Sequence, residues 1–291
     1  MFECYINCCS DLEEIRLHIS HFPQERIKKW LDPADPSSNY NTAAKLRHGN
    51  TNAWFLEHEA FSSWLSGRKS HLWLHGTSGC GKTILSSTII THLLPDCLYF
   101  YFDFRDSSKQ SLDQALRSLV FQLYSTHGEA NRGARCILEK QWSNHRNGES
   151  QPSTSSLIET FDRMCRQTNE VRLVIDALDE CYMGAATEVN LRAEFLKWLR
   201  KRIKHQGSDH SRIRIITTSR SGLSDIKSYL MPALPDDSII SIENESTKAD
   251  IRELIRERLR RDSDFARWQS PKKEPFLRHI EETLVERSNL M

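Results

Sequence analysis

Apolar residues along this chain fall into two spacings. Short runs rich in β-branched and aromatic side chains occur at His71–His75, Leu98–Phe104, Val171–Ile175, Ile213–Thr218 and Ile239–Ile242. Each has the length and continuity of a strand buried on both faces. The segments between them carry helical spacing. Ser111 to Tyr124 places Leu112, Ala115, Leu116, Leu119, Val120 and Leu123 on one stripe, and Ser111 with Gln114 fits a capping box at its start. Leu157 to Cys165 repeats the stripe with Leu157, Ile158, Phe161 and Met164, behind a cap at Ser156 with Glu159. Leu191 to Ile203 is another helix, with Leu191, Phe195, Trp198, Leu199 and Ile203 apolar. Five strands separated by helices predict an α/β fold, a five-stranded parallel sheet with helices on both faces.

The flanks differ from this middle. Leu31 to Asn52 is rich in Pro, Ser and Asn and reads as an extended, irregular lead-in. Beyond Ile242 the chain turns helical and charged, as in ADIRELIRERLRRD. The predicted division is an N-terminal helix and lead-in over residues 1–45, a core over 46–243, and a partial helical lid over 244–291. Ser143 to Ser156 is polar and predicts a surface loop, and no internal repeat is present.

Composition narrows the class. The 291 residues suit one large domain, or one domain with a smaller appendage. Forty basic and 39 acidic residues leave a net charge of +1, which disfavours a generic nucleic-acid or membrane-surface binder. No apolar run reaches the roughly 18 residues of a spanning helix, so no membrane insertion is expected. The start, MFECYINCCSDLEEI, is acidic where a secretion signal is basic. The eight cysteines form no C-x-x-C pair and read as reduced thiols of a cytoplasmic protein. A metal site at Cys4, Cys8 and Cys9 is disfavoured, because His18 and His21 lie outside the usual finger spacing.

The candidate chemistry gathers at the end of the first strand. Gly76-Thr77-Ser78-Gly79-Cys80-Gly81-Lys82-Thr83 matches G-x-x-x-x-G-K-[ST], the Walker A spacing. Glycines let the backbone curl so that successive N–H groups face phosphate oxygens, and the helix that follows adds its positive end. Lys82 then reaches the β- and γ-phosphates, and the Thr83 hydroxyl is a ligand for Mg2+. A glycine turn that served geometry alone would have no use for Lys-Thr at its end. The strand Val171 to Ile175 runs into Asp176, with Asp179 and Glu180 just beyond. A carboxylate at that tip would hold Mg2+ through water, in the manner of a Walker B acid, and Asp179 or Glu180 would polarise an attacking water. Asp179 has a second reading, the positioning of a neighbouring loop. The run Arg212 to Thr218 ends in Ser219 and Arg220. If this strand lies between the other two, Arg220 is placed to sense the γ-phosphate; otherwise it is a solvated charge.

GTSGCGKT, LVIDALDE and IITTSR, in this order, resemble the signalling NTPases of the NACHT type, a STAND class related to the AAA+ ATPases. LDPADPSSNYNTAAKLRHGNTNAWFLEHEAFSSWLSG and YFYFDFRDSSKQSLDQALRSLVFQL are similar to the flanks of fungal NACHT and ankyrin-repeat proteins that share a nephrocystin-3-like N-terminal NTPase module. The resemblance spans Trp30 to Arg287. It implies a P-loop NTPase that binds ATP or GTP with Mg2+ and hydrolyses it slowly, biasing closed and open forms in a signalling switch. It implies protein partners or self-association, and places the nucleotide base against Arg47 to Phe55. The chain stops at EETLVERSNLM, near where that group continues with a glycine–aromatic pair and a winged helix, so the lid is expected to be incomplete.

Other readings stay open beside this one. A non-hydrolysing nucleotide-binding scaffold would keep the site without turnover. A P-loop small-molecule kinase would need a mobile lid bearing arginines, and the paired acids of DALDE argue against it. Cys80 sits beside a helix N-terminus, where a thiol pKa falls, which predicts nucleotide-protected alkylation. Its alternative is a small apolar filler facing the core. Tyr99 to Phe104 reads as buried strand rather than a ligand stack. Arg200 to His205 reads as basic charge suiting a helix C-terminus.

Overall fold

A computed structural model of the chain describes residues 24–126, 132–182, 190–204, 213–261 and 274–288. Cys4, Cys8 and Cys9 lie outside the described residues, as does His205. Helix α1 (24–31) is followed by α2 (Ser37–Leu46), α3 (Ala53–Leu56) and α4 (Glu59–Leu65). Then come β1 (His71–Gly76), α5 (Lys82–Leu93), β2 (Leu98–Tyr101), α6 (Leu112–Ser125), α7 (Arg132–Asn144), α8 (Thr154–Arg166) and β3 (Val171–Asp176). The rest are α9 (Leu191–Lys204), β4 (Ile213–Arg220), α10 (Ser224–Leu230), β5 (Ile239–Ser241), α11 (Glu245–Arg261) and α12 (Glu274–Ser288).

All five predicted strands form one sheet in the order β2-β3-β4-β1-β5, and every pairing is parallel. Strand β4 therefore lies between β1 and β3, pairing Leu74 with Thr218 on one side and Ile175 with Thr217 on the other. Alternation along the strands sorts the residues by face. Leu72, Leu74, Val174 and Ile216 pack with Leu85, Ile89 and Ile90 of α5 and with Phe61 and Trp64 of α4 in one core. Trp73, Phe100, Leu173, Ile175 and Ile215 point the other way and are equally buried. On that side Phe195 of α9 meets the ring of Phe102 edge-on at 5.1 Å. The same alternation puts Asp176 on the α5 face.

Contacts divide the chain into two compact units. One is the sheet unit, residues 36–110 with the described residues after 170. The other is helical, formed by α1 and by α6 to α8, which the chain builds between β2 and β3. Its buried Arg117 ties that unit together. The guanidinium donates to Leu31 O at 2.9 Å, Gln151 Oε1 at 2.7 Å and Pro152 O at 3.3 Å, and pairs with Asp113 at 2.6 Å.

Several expectations need correction. Leu31 to Asn52 is not simply extended, because α2 occupies its middle. Its polar composition hides a helix held by tertiary bonds. Lys109 donates to Ser38 Oγ at 2.8 Å and Asn39 Oδ1 at 2.6 Å, and Tyr40 meets Thr91 of α5 at 3.1 Å. Strand β2 ends at Tyr101, and Phe104 is 63% exposed rather than buried. Helix α8 begins at Thr154, capped by Ser153, whose hydroxyl accepts the Ser156 N–H at 3.2 Å, so the cap lies one turn before Ser156. The predicted loop at Ser143 to Ser156 shrinks to the stretch between α7 and α8. The Ser111 cap stands as predicted, accepting from Gln114 N at 3.2 Å.

Leu74 has no exposure and sits mid-strand in the core. Leu74→Ala should cost about 2–5 kcal/mol in urea unfolding, the range for a buried leucine in a site that cannot collapse.

Candidate functional site

The turn from β1 into α5 uses its glycines for two different reasons. Gly79 and Gly81 have φ of +79° and +94°, a backbone that side chains resist, yet a Cβ at either would meet nothing within 4 Å. At Gly76 the limit is space. A Cβ there would stand 2.7 Å from Cys80 Sγ and 3.0 Å from Ile242 Cγ1. Helix α5 begins at Lys82, and its first hydrogen bond runs from Leu85 N to Gly81 O at 2.9 Å.

Asp176 is the best-held acid of the site. It is 1% exposed, and three hydroxyls donate to it: Thr83 at 2.8 Å, Ser86 at 2.6 Å and Thr218 at 2.7 Å. Burial pushes its carboxyl above the usual range against those three donors, with the charge of Asp179 adding to the rise. The one proton of Thr83 Oγ1 is spent on Asp176, which leaves that oxygen's lone pairs for a cation. Ser86 lies one helical turn beyond Thr83, a spacing that a helix starting at Lys82 could have revealed.

Just past Asp176, Ala177 takes a left-handed conformation with φ of 54°, and its N–H is held by Thr218 Oγ1 at 2.9 Å. Beyond this bend Asp179 and Glu180 share one cleft with Lys82 and Thr83 of the glycine turn. Arg220 and Asp179 are brought together as a pair. Arg220 Nε lies 2.9 Å from Asp179 Oδ2, and the Arg220 N–H donates to Oδ1 at 3.1 Å. Arg192, which the sequence did not flag, donates to the carbonyls of Asp179 and of Cys181, and pairs with Asp225 at 3.1 Å. Glu180 is half-buried and accepts the Phe104 N–H at 3.2 Å. Burial raises its pKa despite that bond, and the carboxylates of Asp179, Asp103 and Asp176 add to the rise.

Lys82 turns back onto its own loop, donating to Gly76 O at 3.0 Å and to Thr77 O. Glu243, just after β5 and unmarked by any motif, accepts the Thr77 N–H at 2.9 Å and the Thr77 hydroxyl. Cys80 is decided between its two readings. It is 8% exposed in the core, and burial raises its pKa more than Lys82 lowers it. It is the apolar filler, not an activated thiol.

One cleft of about 220 Å³ joins these parts, lined by Ser78, Gly79, Gly81, Lys82 and Thr83 with Asp179, Glu180, Thr218 and Arg220. Its volume is below the roughly 300–1,000 Å³ of pockets that enclose a whole small ligand. Arg47 to Phe55 contributes nothing to its lining among the described residues. That segment faces α11: the Asn52 N–H donates to Asp250 at 2.7 Å, and His48 pairs with Glu257 at 2.9 Å.

Fold and site together define an α/β protein with an all-parallel five-stranded sheet and a glycine turn with a lysine at the tip of a central strand. The family model for nephrocystin 3, N-terminal, matches residues 50–220, more than half of the chain, and the chain belongs to that family. No curated protein matches it. Among the described residues no helix is long and apolar enough to cross a membrane.

Gly76→Ala should destabilise the protein by about 1–3 kcal/mol through overpacking, and Cys80→Ala in the same chain should restore part of the loss in urea unfolding. Asp176→Asn should raise the melting temperature of the nucleotide-free protein at pH 7, because the amide carries no charge to bury. A carboxyl whose folded pKa is raised stabilises the fold only when protonated, and that contribution is lost as pH rises through the folded value. The gap between wild type and variant should therefore close as the pH falls.

Proposed function

We propose that the chain is a regulatory P-loop NTPase of the NACHT signalling type found in fungal proteins, a Mg2+-dependent module that binds ATP or GTP and hydrolyses it slowly. The observation that carries this reading is the set Lys82, Thr83 and Asp176. It joins a phosphate-binding turn to a buried acid across two parallel strands, with the cleft opening at the strand ends.

Gly76 to Thr83 supply the N–H groups and ammonium that hold phosphate oxygens. Thr83, with Asp176 behind it, fits one corner of a Mg2+ shell. Among the described residues no group of three or more His, Cys, Asp or Glu could cage a metal. That suits an ion that arrives with phosphates and keeps its waters. Bound Mg2+ would offset phosphate charge. Glu180, with its raised proton affinity, is the group to take a proton from an attacking water. Arg220 reaches the γ-phosphate after leaving Asp179. Helices α11 and α12 act as the lid, and protein partners or self-association read its position in the cytoplasm.

A second reading, a non-hydrolysing scaffold, is favoured by the engagement of the catalytic candidates with one another. Asp179 is bound to Arg220, and Glu180 to the Phe104 N–H.

The first experiment is nucleotide content. Purified protein should release ATP, ADP or a guanine nucleotide on denaturation, identified by chromatography, and Lys82→Ala should bind about 10–100-fold more weakly. Glu180→Gln should keep binding and lower phosphate release about 10²–10⁴-fold if Glu180 is the base. Equal, negligible release from both would favour the scaffold. No binding by wild type would end the nucleotide reading.

A further inference from the structure

The Gly76–Thr77 peptide lies between two opposite charges. Its carbonyl, Gly76 O, accepts from the Lys82 ammonium at 3.0 Å. Its N–H, on Thr77, donates to Glu243 Oε1 at 2.9 Å. The same Glu243 oxygen takes the Thr77 hydroxyl, and the next carbonyl, Thr77 O, is a second acceptor for Lys82. A carboxylate on the N–H of an amide polarises its C=O and strengthens that oxygen as an acceptor. Carboxylate, peptide and ammonium thus form one chain of charge-assisted bonds.

Resting on the nucleotide reading above, we propose that Glu243 is a positioning residue that keeps Lys82 withdrawn onto the loop carbonyls, so that phosphate must displace the lysine before it is bound. Glu243 stands between β5 and α11. The anchor is continuous with the helix after it: Thr247 Oγ1 donates to Ile242 O at 2.5 Å, and the Thr247 N–H to Asn244 Oδ1 at 2.9 Å. Movement of α11 away from the sheet would draw Glu243 off Thr77 and free Lys82. Occupancy of the phosphate loop and the position of α11 are therefore linked through a single carboxylate, and the linkage is reciprocal.

The test is the affinity of full-length protein for a fluorescent ATP analogue with Mg2+. Glu243→Gln keeps an oxygen for the Thr77 N–H and removes the charge. It should bind about three- to fivefold more tightly than wild type, the effect of one exposed, partly screened charge. Glu245→Gln makes the same change in net charge at an exposed residue paired with Lys248 at 2.7 Å, and should leave affinity unchanged. Thermal unfolding of all variants checks that each is folded. A residue that merely shapes the loop gives the opposite sign, so unchanged or weaker binding by Glu243→Gln overturns the inference. An equal gain in Glu245→Gln also overturns it, by reducing the effect to net charge. If wild type and Lys82→Ala fail alike to bind the analogue, the nucleotide reading itself falls. Lys82-dependent binding without a gain in Glu243→Gln removes only the role of Glu243.

Discussion

The site depends on the carboxylate of Asp176 lying beneath three hydroxyls. A charge with 1% exposure is tolerated only when its oxygens are satisfied. Thr83 and Ser86 reach it from α5, and Thr218 from β4. These bonds fix the first turn of α5 against the ends of two strands. The glycine turn that precedes α5 is thereby held at both ends, by β1 behind it and by Asp176 below its exit. The packing of Leu85, Ile89 and Ile90 seats the body of α5 on the sheet, and these bonds place its first turn.

Around this anchor each charged group at the cleft already has a partner. Arg220 is paired with Asp179, Lys82 with loop carbonyls backed by Glu243, and Glu180 with the Phe104 N–H. A ligand entering here exchanges partners rather than filling an open set of donors. Such exchange costs part of the gross interaction, and it makes binding responsive to whatever moves those partners. Arg192 extends the arrangement to α10 through Asp225, so the 178–180 turn is supported from behind as well. The span that defines the family ends at Arg220, whereas Glu243 and α11 lie beyond it.

The sheet was legible in the sequence because β1 to β4 are short apolar runs with both faces largely buried, whereas edge strand β5 is only partly buried and was read from its isoleucines. The glycine turn, Lys82, Thr83 and Asp176 were legible for a related reason: their chemistry is concentrated in contiguous residues. Helix α2 was not, since SSNYNTAAKL has little apolar pattern and is held by Lys109 and by α5. For Cys80 the sequence left two readings, and position alone could not choose between them. Its place at a helix start lowers a pKa, but its burial against Gly76 and Ile242 raises it further.

The sequence by itself determined the α/β class, the parallel sheet and the residues of the glycine turn with its lysine, because periodicity and motif spacing are properties of neighbours in the chain. Tertiary structure alone decided which charges face one another. That Arg220 binds Asp179, that Thr218 reaches Asp176, and that Glu243 closes on Thr77 across 166 positions are consequences of strand order and close packing. Coulomb forces and hydrogen bonds act over a few ångströms of space, and a linear sequence does not record which distant residues come within that reach.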